Sequence, residues 1–209
     1  MASNIPNLTT AEIAALSTAE IAALNVADWL AFSAEQIAAL SESQVAAIPT
    51  GGLAALSAVQ ATAFTPAGFG AMGTAQIRAL STAAVSTIDA SDVAALSAAQ
   101  VGALNTRQVA ALTTAALASF DEARLAGLSS TQMRGLSTAQ LESLSESQWA
   151  AMSTQQLRAL NTQQIANLAT DDLNALTETQ LQALTSAQVA AITSTQAGAM
   201  QAGNLAALT

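Results

Sequence analysis

The side chains with which this chain could do chemistry are carboxylates, hydroxyls and amides, because its 209 residues include no histidine, cysteine, lysine or tyrosine. Two adjacent acid pairs, Asp121-Glu122 and Asp171-Asp172, suggest either a carboxylate dyad or a calcium loop. Neither pair has the alternating acids and fixed glycine of an EF-hand. Serine and threonine are abundant, but a hydroxyl nucleophile needs an adjacent base, and no imidazole or lysine is present to serve. Without Cys and His there is no disulfide framework and no usual zinc ligand set. The expectation is therefore a chain with no catalytic residues, no cofactor and no metal, and not an enzyme. The 14 acids against 5 arginines give a net charge of -9 and a pI near 4.1. That balance opposes nucleic acid or an anionic membrane as partner.

The elements that carry these residues come from one repeat. From Leu8 to Leu208, every eighth residue is large and apolar, giving 26 octads without an insertion or deletion. With that residue as position 8, position 5 is also apolar (Ile5, Ile13, Ile21, Trp29, Ile37 and onward), small only at Ala61 and Ala197. Residues three apart share a face on a helix and lie on opposite faces of a strand. The alanine, leucine and glutamine content also favours helix over strand, so a β-solenoid is the weaker reading. One continuous helix fails as well, since eight residues at about 100° each carry the apolar pair about 80° around the axis per octad.

The break falls at position 1, which is Ser, Thr, Asn or Asp in most octads, followed three residues later by Gln or Glu. This is a capping box, in which cap side chain and third helical residue satisfy each other's backbone N–H. All acids but Glu142 lie at positions 1 to 4, where the helix dipole favours negative charge. Both acid pairs are thus read as cap and first-turn residues. Pro66 sits at the first helical position, where a missing N–H costs nothing. Each octad is expected to be one helix of about six or seven residues. Helices below about 12 residues are marginal alone, so they must stack. The small residue at position 7 suits close contact between turns. The reading is an all-α solenoid of 26 octads over residues 1–209, a single unit with no separate capping domain. Positions 5 and 8 form its core, and positions 2, 3 and 6 face out.

The least regular stretch contains Pro49, Gly51, Gly52, Pro66, Gly68, Gly70 and Gly73. It is a candidate hinge, since glycine and proline mark special backbone; the plainer reading is that Phe64 and Phe69 fill space left by Ala61. Trp29 with Phe32, and Trp149 with Met152, occupy core positions. No 18-residue stretch is free of polar groups, so no membrane span is expected, and the N-terminus lacks the features of a secretory signal.

The segments Leu16-Ser17-Thr18-Ala19-Glu20-Ile21-Ala22-Ala23-Leu24 and Leu136-Ser137-Thr138-Ala139-Gln140-Leu141-Glu142-Ser143-Leu144 resemble the octapeptide repeat tracts of large secreted or surface proteins of Gram-negative bacteria. Those proteins are often adhesin-like and exported without a cleaved N-terminal signal. The resemblance implies an extended extracellular structural segment, with a host or matrix surface as partner. Ile5 and Leu8 at one end, and Leu205 and Leu208 at the other, suggest bare edges of complementary shape. A contact between such edges does not close and yields a head-to-tail homopolymer. The leading functional expectation is a subunit of an extracellular filament or the rod of a surface fibre. The alternative is an ice-binding or other surface-binding array of position-2 threonines (Thr10, Thr18, Thr74, Thr82, Thr106), a column interrupted by Glu42, Pro66, Glu122, Glu146 and Glu178.

Overall fold

A computed structural model describes residues 3–208. A 3-10 turn, Ile5–Asn7, precedes 25 α-helices numbered in chain order from α1 (Thr10–Ala15) to α25 (Ala202–Ala207), one per octad. Among the described residues there is no strand, and the protein is an all-α solenoid.

The helices, of four to six residues, are slightly shorter than expected, and the reason lies at both ends of the octad. In α2 (Thr18–Ala23) the cap Ser17 is extended, at φ -70° and ψ 158°. Its hydroxyl accepts the Glu20 N–H at 3.2 Å, and the Glu20 carboxylate accepts the Ser17 N–H at 2.8 Å. At the other end Leu24 has already left the helix, at φ -66° and ψ 136°, with its N–H on the Ile21 carbonyl. Two successive extended residues, positions 8 and 1, turn the chain from one helix into the next. No residue with positive φ is used anywhere in the described backbone, so these junctions do without the glycine that commonly ends helices.

Helices three apart in sequence pack side by side: α3 (Val26–Ala31) on α6 (Thr50–Ala55), α8 (Pro66–Ala71) on α11 (Ala90–Ala95), α16 (Ser130–Gly135) on α19 (Thr154–Ala159). Each helix thus meets the turn before and the turn after, the quasi-one-dimensional arrangement of solenoids. Positions 5 and 8 form one continuous apolar cluster from Ile5 to Ala207. Trp29, Phe69, Trp149 and Leu157 are fully buried at position 5. The Trp29 and Phe32 rings stack at 4.7 Å between centroids. The small residues at position 7 do bring turns close. A Cβ on Gly127 would stand 2.6 Å from the Ala98 carbonyl oxygen of the preceding turn.

The stretch from Pro49 to Gly73 is not a break in the solenoid. Pro49 caps α6 and Pro66 opens α8 at its first position, while Gly51, Gly52, Gly68 and Gly70 lie inside helices and Gly73 is a cap. The octad register passes through unchanged. The irregularity is one of volume: Ala61 is fully buried, and the Phe64 and Phe69 rings meet edge to face at 5.7 Å. Gly52 is small because Trp29 lies against it, and Gly70 because a Cβ there would come within 3.0 Å of the Ala95 carbonyl.

Candidate functional site: the glutamine column between turns

The most elaborate polar arrangement in the molecule is the column formed by position 4. A glutamine amide has one acceptor oxygen and two N–H donors, and the capping box uses only the oxygen. In α13 (Thr106–Ala111), Gln108 Oε1 accepts the Asn105 N–H at 2.7 Å. Its Nε2 donates to the carbonyls of Ile77 at 2.9 Å and Leu80 at 2.8 Å, in the preceding turn, and the residue is 1% exposed. These are position-5 and position-8 carbonyls at the end of the helix, where few intrahelical donors remain; the Ile77 carbonyl also takes the Leu80 N–H at 3.3 Å.

Every glutamine at position 4 repeats the pattern, from Gln36 (Ile5 and Leu8 carbonyls, 2.9 and 2.7 Å) through Gln148 (Leu117 and Phe120) to Gln196 (Ile165 and Leu168, 3.0 and 2.7 Å). The separations are always 31 and 28 residues, so the amide reaches back four octads while its helix packs on the helix three octads back. One superhelical turn therefore spans between three and four octads. Each amide closes one cap and ties two turns. A hydrogen bond of this kind contributes about 1 kcal/mol net, and leaving the buried groups unpaired costs more.

The exceptions follow from the same geometry. Glu12, Glu20 and Asp28 hold position 4 in the first described turn and meet no carbonyl of an earlier turn among the described residues. Glu12 and Glu20 are exposed and Asp28 partly so. The Thr9 and Ser17 backbone N–H groups, followed by their hydroxyls, hold the Glu12 and Glu20 carboxyls below the ordinary range. Arg124 takes over the glutamine's role: Nε donates to the Leu96 carbonyl at 2.8 Å and Nη2 to that of Ala94 at 2.7 Å, while Nη1 pairs with Asp121.

Asp92 and Asp172 correct the expectation for first-turn acids. Both are buried, and burial pushes both carboxyls up, that of Asp172 to about 6, with Asp171, Glu142 and Glu146 adding to the rise. Of the acid pairs, Asp121 caps α15 (Glu122–Ala126) and Glu122 is exposed; Asp171 is exposed beside buried Asp172. Among the described residues no three acids gather as a metal site would require. Ile5, expected at a bare edge, is 4% exposed. The Ile5 side chain is covered by its own chain, and the Ile5 carbonyl is taken by Gln36. Leu8 and Leu208 are half-buried and Leu205 is 45% exposed. The position-2 threonines open helices, exposed or half-buried.

Sequence reasoning gave position 4 only its capping role and missed the ties between turns. A signal was present: the column runs Glu12, Glu20, Asp28 and then changes to Gln36 and Gln44, and capping alone does not distinguish glutamate from glutamine.

The chain matches the ALTTAQ repeat family over residues 85–122, 150–186 and 165–202. It is similar to that family in those segments. No curated protein matches the chain. Together the repeat match and the stacked helices support a repeat-based structural protein. No helix among the described residues is long and apolar enough to cross a membrane.

Proposed function

We propose that the chain is a structural rod, a subunit that stacks end to end into an extracellular filament or the rod of a surface fibre. On this reading it is not an enzyme, and its principal partner is a second copy of itself. The observation that carries the proposal is the column from Gln36 to Gln196: every amide on it ties one turn to the last. Most of the sequence's polar specificity is spent on holding turns together, and almost none on building an enclosed site. Such a repeat can continue across a subunit boundary, because the contact between turns recurs with the same carbonyl positions wherever position 4 is glutamine. The threonine array receives no comparable support, since its column is interrupted by Glu42, Pro66 and Glu122. Negative-stain microscopy of the purified chain between about pH 3 and 7 tests the proposal. Rods of one constant width whose length grows with concentration are expected; short monodisperse particles under every condition would overturn it.

A further inference from the structure

The two edges of the described solenoid are unlike, and the difference controls what fits against them. At the C-terminal edge, the position-5 and position-8 carbonyls from Leu181 onward, those of Val189, Ile192 and Met200 included, meet no side-chain donor from a following turn among the described residues. The core there is uncovered, with Val189, Ile192 and Leu208 half-buried and Leu205 exposed. No charged residue lies beyond Glu178. At the N-terminal edge Leu8, Leu16 and Leu24 are likewise half-buried and, with Ile5, line a hollow of about 320 Å³ bordered by Glu20 and Asp28. Among the described residues each edge lacks the cover that a neighbouring turn provides, and each would complete the other by the contact already made between turns inside the chain. Asn4 apart, the position-4 donors are missing. Where a glutamine would offer N–H groups to the incoming carbonyls, Glu12, Glu20 and Asp28 offer carboxylate oxygens.

We infer that Glu12, Glu20 and Asp28 form an acid-sensitive gate on head-to-tail stacking, which closes the N-terminal edge to the C-terminal edge of a second copy at neutral pH and opens when the three are protonated. A neutral carboxyl group reproduces the glutamine amide: its carbonyl oxygen still accepts the cap N–H, and its O–H donates to the carbonyl opposite. An ionised one sets acceptor against acceptor in a contact from which water is excluded, which is unfavourable. The elements packed against these helices do not compensate. Glu35 on α4 (Ala34–Ala38) and Glu42 on α5 (Glu42–Ala46) are the charged groups there, both acidic, while the Ile5–Asn7 turn and α6 carry none.

This inference rests on the stacking reading, and its test separates the two. Sedimentation and negative-stain microscopy would compare the full chain at pH 7 and about pH 3, low enough to protonate carboxyls that the caps hold below the ordinary range, the triple variant Glu12→Gln, Glu20→Gln, Asp28→Gln at pH 7, and a control with the same charge change, Glu122→Gln, Glu146→Gln, Glu178→Gln, at pH 7. The expected result is single-width rods from the wild type only at low pH, from the triple variant at pH 7, and none from the control. Equal assembly of wild type and triple variant at pH 7, assembly of the control, or rods from the acidified wild type but not the triple variant would each overturn the gate while leaving stacking standing. No rods from either the acidified wild type or the triple variant would overturn stacking itself.

Discussion

The Trp29 indole lies against Gly52, 23 residues on and three octads later, so closely that a Cβ at Gly52 would stand 2.6 Å from Trp29 Nε1. Position 4, a glutamine in 14 of the 26 octads, is here reduced to nothing, and Trp29 Nε1 is left without a hydrogen-bond partner. The aromatic ring and the missing side chain are one substitution spread over two octads. The same offset separates Trp149 from Asp172 and Phe69 from Asp92, where aspartate stands in place of the commoner glutamine.

Gly52→Ala should therefore destabilise the solenoid by about 1–3 kcal/mol, the usual cost of overpacking, although alanine is the better helix former by about 1 kcal/mol. In a Trp29→Leu background the same change should cost nothing or stabilise. A double-mutant cycle by chemical denaturation reads the coupling; additive effects would show that the two residues do not share the space.

Asp172 should make stability depend on pH. Its folded pKa of about 6 stands above the ordinary aspartate value of 3.8, so the folded state binds the proton more tightly. The penalty is then full above pH 6 and fades as the pH falls towards 4. Asp172→Asn should raise stability at pH 7 by on the order of 2 kcal/mol, and this advantage should shrink steadily between pH 6 and 4. Thermal melts across that range measure it; an advantage independent of pH would point to packing rather than charge.

Gln108 tests the tie between turns. Gln108→Ala removes the donors to Ile77 and Leu80 and the acceptor for the Asn105 N–H, with an expected loss of about 2–4 kcal/mol from unpaired buried groups and lost packing. Gln108→Glu keeps the shape and the cap but places a carboxylate against two carbonyls. It should be at least as damaging at pH 7 and recover much of the loss on acidification, when the carboxyl group regains a donor. Urea denaturation at two pH values distinguishes these outcomes. A glutamate variant as stable as the wild type at pH 7 would remove the ladder from the account.

The helix, its cap and its core face were legible because each depends on residues within one octad. Ser17, Glu20, Ile21 and Leu24 state their roles within eight positions, by capping chemistry and by spacing. The tie between turns was hidden because its partners are carbonyls, which every residue has. Nothing in Ile77 or Leu80 marks them as acceptors for Gln108. The Trp29 and Gly52 pairing left a trace in residue types, but at an offset of 23, which is not a multiple of the repeat and so invisible to a search by octads. The fate of Asp172 was missed for a related reason: its place in the first turn suggested a favourable dipole, whereas the neighbouring turn decides its burial.

The number of octads in a turn is the central claim, and the absence of native cysteine allows it to be measured by cross-linking. A Cβ at Gly70 would lie 3.6 Å from the Ala95 Cβ, within the separation a disulfide spans. In the pair Gly70→Cys with Ala95→Cys, mild oxidation should give a rapid intramolecular disulfide, seen as a linked peptide by mass spectrometry. Gly70→Cys paired with Thr87→Cys or Ala103→Cys, one octad short or one beyond, should not cross-link. Bridging at either of those positions in place of Ala95, or at all three alike, would contradict a solenoid that returns on itself between three and four octads.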